Sequence, residues 1–231
     1  MHILLSGASS GIGRELAVLL AKQGHSLSVC GRNPSKLEHS LTLLKPLSQA
    51  LFSRAFCLSD FEAISQFCLD AKEQHGPVDV LINCAGLNNG RAAGHQLEHE
   101  TFDWMMRINC YAPIEFMRAL IPDMQTRQSG TVINVLSTTA QFANSGIAGY
   151  SASKAALDSY TKVMRKELRK DGIKMLSVYP GGVDSDFREA DRPQYLQAID
   201  VAQAIVPMLN CNVNAHIHEL TIRPSCEENF S

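Results

Sequence analysis

Seven short apolar runs recur along the chain, and longer amphipathic stretches separate them. Strands and helices that alternate in this way favour a parallel sheet with helices on both faces. The near-continuous apolar character of the runs agrees with strands that are buried on both sides. The runs predict strands at Ile3–Ser6, Leu27–Cys30, Leu51–Cys57, Val78–Asn83, Thr131–Leu136, Lys174–Tyr179 and Ile217–Ile222. The stretches between them predict helices at Gly11–Gln23, Pro34–Leu44, Phe61–Gln74, Thr101–Gln128, Gly149–Lys170 and Val201–Leu209.

Composition and charge exclude several other classes. A formal net charge of −2 gives no bulk attraction to nucleic acid or to an acidic membrane, so neither is expected as a partner. No apolar run approaches the roughly 18 residues of a membrane-spanning helix, and a cytoplasmic location is the default expectation. The seven cysteines are scattered without a C-x-x-C pair, which predicts reduced thiols and no metal site. No linker divides the chain, so we expect one domain over residues 1–231.

A glycine loop directly follows the first predicted strand. Small residues let the backbone turn sharply and approach a pyrophosphate, and the start of the next helix presents free amides and a positive dipole end to the phosphates. A tight strand-to-helix turn without a ligand is the alternative that the loop alone leaves open. The candidate phosphate-binding residues are Gly7, Ser9, Ser10, Gly11, Ile12 and Gly13.

The end of the second predicted strand bears on the choice of cofactor. An acidic residue there would hold the ribose hydroxyls of NAD, whereas this chain has Gly31 and Arg32. With no carboxylate to repel a 2′-phosphate, and a guanidinium to bind one, we expect NADP(H) to be preferred, with NAD(H) as the alternative. A solvated charge beside a turn is the other interpretation of Arg32.

Ser137, Tyr150 and Lys154 form a candidate catalytic set. Ser137 follows a predicted strand, and the four-residue spacing of Tyr150 and Lys154 places both on one face of a helix. Hydride addition to a carbonyl requires a proton for the developing alkoxide. A free tyrosine has a pKa near ~10, which a neighbouring ammonium lowers, and a serine hydroxyl can orient the same substrate oxygen. An isolated Tyr-x-x-x-Lys match is more often a surface pair on a helix.

Two irregular regions, Leu87–Glu100 and Gly181–Asp200, follow the ends of predicted strands. Ligands of open parallel sheets bind beyond the carboxyl ends of the strands, so both regions are candidate pocket walls, and the segment at about 181–200 is a candidate substrate loop. Arg188 and Arg192 in this loop would recruit a substrate carboxylate, and a solvated charged loop is the alternative.

Several motifs, in their order along the chain, resemble the short-chain dehydrogenase/reductase family in its compact form. Ser6–Gly13 is similar to its T-G-x-x-x-G-x-G, and Asn83–Gly86 to its N-N-A-G. Ser137 precedes Tyr150 by 13 residues, the usual separation in the family. Pro180–Ser185 is similar to its P-G-x-V-x-T. The resemblance covers nearly the whole chain and implies a Rossmann-type, doubly wound parallel sheet of seven strands in the order 3-2-1-4-5-6-7.

The resemblance also implies roles for individual residues. Tyr150 would be the general acid/base, Lys154 would hold the nicotinamide ribose and assist Tyr150, and Ser137 would orient the substrate carbonyl. Asn109 would hold a water molecule that links Lys154 to solvent. Val183 and Ser185 would bind the nicotinamide carboxamide and a nearby phosphate. The further cofactor-binding residues would be Asn33, Leu58, Asn83, Ala85, Gly86, Pro180 and Gly181.

The sequence departs from the family pattern at the third strand, where many relatives carry Asp and this chain has Cys57 followed by Leu58. The adenine contact there would rest on the backbone. The Arg223-Pro224 ending is more like the branch that acts on small 3-hydroxy acids and serine-like substrates. We therefore expect a small carbonyl or alcohol substrate, such as a 3-hydroxy or 3-oxo acid.

Relatives pair through the helices corresponding to Thr101–Gln128 and Gly149–Lys170, which implies a homo-dimer or homo-tetramer. Two other functions remain open at this stage. One is a non-catalytic nucleotide-binding regulator or scaffold on the same fold, against which the intact catalytic set argues. The other is an epimerase or dehydratase, whose relatives usually carry a larger carboxyl-terminal region.

Overall fold

The structure, a computed structural model, describes residues 1–48, 50–185, 187, 191–212 and 215–227. Its strands are β1 (His2–Ser6), β2 (Ser26–Gly31), β3 (Leu51–Ala55), β4 (Val80–Asn83), β5 (Gly130–Val135), β6 (Ile173–Pro180), β7 (Val183–Asp184), β8 (Leu196–Gln197) and β9 (Glu219–Ile222). Its α-helices are α1 (Gly11–Lys22), α2 (Pro34–Leu44), α3 (Phe61–His75), α4 (His99–Met106), α5 (Ala112–Arg127), α6 (Ala148–Glu167) and α7 (Ala198–Leu209).

Seven parallel strands form one sheet in the order β3-β2-β1-β4-β5-β6-β9. This order confirms the predicted doubly wound fold. The predicted seventh strand is β9, because β7 and β8 are two-residue strands that pair with each other inside the candidate substrate loop. β3 stops at Ala55, two residues earlier than predicted, because its partner β2 ends opposite it at Gly31.

Successive side chains along each strand pack into two apolar cores, one on each face of the sheet. In β1, Leu4 joins the core that contains Phe67 of α3 and Phe116 of α5. Ile3 of the same strand joins the opposite core, which contains Ile205 of α7. Helices therefore cover both faces, as the continuous apolar runs predicted. None of the described helices is long and apolar enough to cross a bilayer.

The long helix predicted over Thr101–Gln128 is interrupted. α4 ends at Met106, a turn of π-helix spans Arg107–Tyr111, and α5 begins at Ala112. Asn109 lies in the middle of the π-turn and is fully buried. The widened turn marks the point where this helical segment contributes a polar side chain to the interior, which is a common setting for π-turns.

A buried polar chain crosses the centre of the sheet. Asn83 of β4 donates from Nδ2 to Oδ1 of Asn134 on β5 at 2.8 Å. Asn134 donates in turn to the Thr161 hydroxyl of α6, also at 2.8 Å, and Thr161 donates to the Leu157 carbonyl at 2.7 Å. These bonds fix β4, β5 and α6 relative to one another directly beneath the carboxyl ends of the strands.

Candidate active site

A cavity of about 1150 Å³ opens at the carboxyl ends of the parallel strands. It exceeds the roughly 300–1,000 Å³ of an ordinary small-ligand pocket, so it has room for a dinucleotide and a small second molecule. The glycine loop, the residues after β2, the loop after β4, the end of β5, the start of α6 and the loop after β6 all contribute to its wall. The topology therefore brings together segments that are far apart in the sequence.

The glycine loop is tightly packed under the cavity. Gly7 has a φ of +80°, and a Cβ added there would lie 2.8 Å from the Cα of Ala85. A Cβ on Gly13 would overlap the carbonyl oxygen of Gly7. Only glycine fits both positions. Among the described residues, no side chain caps the first turn of α1, where Ser10 is the N-cap, so the free amides of this turn are available to an anion in the cavity.

Two cations lie where the cavity passes β2 and α2. Arg32 is exposed on the cavity wall, and Lys36, which sequence reasoning missed, lines the same wall from the first turn of α2. Asn33 caps this helix by accepting a hydrogen bond from the Lys36 amide at 2.9 Å. Leu58 and Cys57 form the neighbouring wall. None of these residues is acidic, so a phosphate placed here meets two positive charges and the start of a helix.

Lys154 lies at the centre of the site and is only 3% exposed. Its ammonium donates to the carbonyl oxygen of Val135, the last residue of β5, at 2.9 Å. Burial lowers the pKa of Lys154 to about 8, and the neighbouring thiols of Cys84 and Cys110 partly oppose this shift. The amine is therefore mostly protonated at neutral pH, and its charge is shielded from solvent.

Asn109 holds the loop after β4 against this lysine. Its side chain accepts from the Leu87 amide and donates to the Leu87 carbonyl, both at 2.8 Å, and it also donates to the Ser153 hydroxyl at 3.0 Å. A Cβ on Gly86 would come within 3.2 Å of the Lys154 ammonium. Asn109 is not itself part of the cavity wall, and its visible contacts are to the backbone of the loop.

Ser137 and Tyr150 face the same cavity from two elements. Ser137 follows β5, is 8% exposed, and its hydroxyl oxygen accepts from the amide and the hydroxyl of Thr139 at 3.2 and 3.1 Å. Tyr150 is half-buried in the first turn of α6, one helical turn before Lys154. Its ring centroid lies 5.8 Å from that of Phe187. A phenol, a hydroxyl and a buried ammonium thus border one space.

The loop after β6 closes the site on the side of β9. The Gly181 amide donates to the carbonyl oxygen of Ile222, the last residue of β9, at 2.8 Å. The Gly182 amide donates to the carboxylate of Glu227 at 2.6 Å. A Cβ on Gly182 would lie 2.5 Å from the ring of Tyr195. Both glycines are therefore enclosed by later parts of the chain.

The structure places most of the sequence-predicted site residues on this one cavity wall. They are Gly7, Ser9, Ser10, Gly11, Ile12, Gly13, Arg32, Asn33, Leu58, Ala85, Gly86, Ser137, Tyr150, Lys154, Pro180, Gly181, Val183 and Ser185. Asn83 and Asn109 lie behind the wall, in the polar chain of the sheet and in the π-turn. Arg192 is exposed and is not among the described lining residues of this cavity, and its backbone amide donates to the Asp184 carboxylate, whereas Arg188 lies outside the described residues. Lys36, Arg91 and Glu227 are wall residues that sequence reasoning did not single out.

Three kinds of comparison relate this chain to known proteins. The sequence model of the short chain dehydrogenase family matches residues 1–196. An uncharacterised oxidoreductase of Staphylococcus saprophyticus is 30% identical over 225 residues, which are 96% of this chain and 96% of that protein. An alcohol dehydrogenase of the archaeon Thermococcus sibiricus, solved with 5-hydroxy-NADP, has a TM-score of 0.89 at 22% identity and covers 98% of this chain and 97% of its own. A variant of the actinorhodin polyketide ketoreductase, solved with NADPH, has a TM-score of 0.88 at 26% identity, with 96% and 95% covered.

Proposed function

The chain belongs to the short-chain dehydrogenase family and is an oxidoreductase of that family, and we propose that it interconverts a small carbonyl compound and its alcohol with NADP(H). One observation carries this proposal. Ser137, Tyr150 and the buried ammonium of Lys154 border the same cavity as the glycine loop. Proton-transfer groups and a phosphate-binding turn thus share one space, which is what hydride transfer to or from a dinucleotide requires.

The proposed mechanism assigns a separate task to each polar side chain. A bound nicotinamide supplies the hydride in reduction and accepts it in oxidation. Ser137 donates a hydrogen bond to the substrate oxygen and orients it. Tyr150 gives a proton to the developing alkoxide in reduction and removes the hydroxyl proton in oxidation. The ammonium of Lys154 favours the phenolate form of Tyr150, because a positive charge in a water-poor site acts with little screening.

We assign the positioning of Lys154 to Asn109 and Val135. The Val135 carbonyl accepts from the ammonium, and Asn109 holds the loop that contains Gly86 beside it. A water molecule linking Lys154 to solvent, as the family resemblance implies, remains part of the proposal. The side chain of Asn109 is already engaged by Leu87 and Ser153, so such a water would bond to other atoms of the π-turn.

The preference for NADP(H) rests on Arg32 and Lys36. Both line the cavity where the second strand ends, and the described wall residues around them carry no carboxylate. A 2′-phosphate would meet two cations there, whereas the 2′-hydroxyl of NAD(H) would gain little from them. Two of the structural neighbours were solved with 5-hydroxy-NADP and NADPH, respectively.

A homo-dimer or homo-tetramer built on α4 to α6 is also part of the proposal. Tyr111, between α4 and α5, is 46% exposed, and Val163 of α6 is 52% exposed. Apolar side chains of this size on neighbouring helices suit an interface between two copies. Light scattering coupled to gel filtration would measure the mass, and a monomer at micromolar concentration would rule out this assignment.

Tyr150→Phe tests the proposed chemistry. The variant keeps the ring beside Phe187 and removes only the hydroxyl, so we expect oxidation and reduction rates to fall by about 10²-fold or more. Binding of NADPH, measured by its fluorescence, should stay within a few-fold of the wild-type value. Tyr160→Phe, on the same helix but outside the cavity wall, is the matched control and should keep its rate. A Tyr150→Phe variant that keeps the full rate would refute the role of the phenol.

A further inference from the structure

The last described residues of the chain fold back onto the cavity beside β6. The Glu227 amide donates to the Pro224 carbonyl at 3.2 Å and closes a turn after β9. Glu227 then accepts a hydrogen bond from the Gly182 amide on Oε1, at 2.6 Å. A Cβ on Gly181 would overlap the Glu227 carboxylate. Gly181 thus provides the space in which this carboxylate sits, and Glu227 is a fixed part of the wall.

Glu227 is the one carboxylate among the described residues of the cavity wall. The described cations of the wall lie elsewhere. Arg32 and Lys36 border the end near α2, Lys154 is buried at the centre of the site, and Arg91 belongs to the loop after β4. At the loop after β6, where the candidate substrate loop begins, the wall therefore carries a negative charge.

The two carboxylate oxygens of Glu227 differ in their surroundings. Oε2 is shielded from water and has no partner in the described structure. Because this oxygen is enclosed beside Gly181, a ligand does not bond to it directly, and Glu227 acts on the cavity through its negative charge. Glu227 as a whole is only partly buried, so its charge is partly screened, but it still attracts a cation and repels an anion that lies close to it in the cavity.

We propose that Glu227 selects substrates with a primary ammonium group on the carbon next to the reacting carbinol carbon, that is, vicinal amino alcohols and the matching amino ketones. This inference rests on the proposed function. In oxidation, the hydride leaves the carbinol carbon for NADP⁺ and the hydroxyl proton goes to Tyr150, which gives the amino ketone, NADPH and a proton. The ammonium group takes no part in the bond changes. Its attraction to Glu227 holds the alcohol in place, whereas a carboxylate in the same position is repelled. The inference therefore departs from the 3-hydroxy or 3-oxo acid that the Arg223-Pro224 ending suggests.

Three alcohols that differ only in one terminal group test this selectivity. They are 1-amino-2-propanol, 2-butanol and 3-hydroxybutyrate, which are cationic, neutral and anionic at neutral pH. We expect kcat/KM with NADP⁺ to fall in that order in the wild type, with the amine favoured over 2-butanol by about tenfold or more, which equals about 1.4 kcal/mol. In Glu227→Gln, which keeps an acceptor for the Gly182 amide, the amine-to-butanol ratio should approach one. In Glu227→Lys, 3-hydroxybutyrate should become the best of the three.

Glu219→Gln is the matched control, because Glu219 lies on β9 outside the cavity wall and pairs with Arg165. It should keep the wild-type ratios, whereas a general loss of stability would lower all three rates together. Equal rates for the amine and 2-butanol in the wild type, or an unchanged ratio in Glu227→Gln, would overturn the inference. A KM for NADP⁺ that rises in Glu227→Gln while the ratio stays the same would assign Glu227 to the cofactor instead.

A separate result would refute the proposed function, namely that no alcohol or ketone in a broad panel changes the absorbance of NADPH. Selectivity is then measured by binding, as the rise in thermal midpoint that each of the three alcohols gives the NADP⁺-loaded protein. A rise that is no larger for the amine than for 2-butanol in the wild type would overturn the inference by this second measurement.

Discussion

Replacing Lys154 with methionine measures the energetic cost of its buried ammonium. The folded state lowers the pKa of this amine from 10.5 to about 8, chiefly by burial. Between these two values the unfolded chain binds the proton more tightly than the folded one does, so stability rises with pH across this range. At about 1.36 kcal/mol per pKa unit, the charge costs the folded state about 3 kcal/mol at pH 7 and about 2 kcal/mol at pH 9.

Lys154→Met removes this cost and leaves the Val135 carbonyl without its donor, a loss of about 1 kcal/mol that does not depend on pH. The free energy of unfolding of the variant minus that of the wild type should therefore shrink by about 1 kcal/mol between pH 7 and pH 9. Burial raises the pKa of the Cys84 thiol to about 12, so the thiol stays neutral in both folded proteins, and its titration in the unfolded chain is the same in both and cancels in the difference.

Urea denaturation at pH 7, 8 and 9 gives these free energies, with the fluorescence of Trp104, the one tryptophan, as the signal. Both proteins are kept reduced and at one concentration. Lys166→Met, an exposed lysine of the same helix, is the control and should show a difference that does not change with pH. A difference for Lys154→Met that stays constant or widens towards pH 9 would refute the buried, weakened ammonium.

Three further predictions follow from other parts of the site and fold. Arg32→Asp should reduce the ratio of kcat/KM for NADPH over NADH by about 10²-fold, because a charge-assisted contact is replaced by repulsion, and an unchanged ratio would contradict the role of Arg32. Gly7→Ala should lower both the thermal midpoint and the affinity for NADPH, because Gly7 has a φ of +80° and an added Cβ would meet Ala85. A wild-type midpoint in calorimetry would contradict this packing. Burial lowers the pKa of His2, so the wild type should lose stability relative to His2→Asn as pH falls below about 6.5; parallel denaturation curves at pH 7 and 5.5 would contradict this.

The order of the strands and helices could be predicted from the sequence, because burial on both faces gives each strand a continuous apolar run. Leu4 and Ile3 pack into opposite cores, and neither position tolerates a polar residue, so the apolar run itself marks the strand. The glycine loop and the spacing of Tyr150 and Lys154 are also local patterns. They could be interpreted without knowledge of distant contacts.

Features that depend on contacts between distant parts of the chain could not be predicted from the sequence. The π-turn at Asn109 coincides with a contact to Leu87, which lies 22 positions earlier in the sequence, and no local pattern indicates it. Glu227 reaches Gly182 only because β9 pairs with β6 and the chain then turns back. The position of Lys36 could have been predicted, because a cation in the first turn of the helix that follows Arg32 lies close to Arg32.

The buried chain from Asn83 through Asn134 to Thr161 has a consequence for how the sheet assembles. If β5 paired with β4 one position out of register, Ile133 or Val135 would lie opposite Asn83, and the buried amides would lose each other as partners. Each buried amide left without a partner would cost about 1–3 kcal/mol, a large share of the net stability of a protein. Apolar strands alone resemble one another and tolerate a shift in register. The buried amides find their partners only in the correct register, so a mispaired sheet is less stable, and the strand end that precedes Ser137 is held in its place at the site.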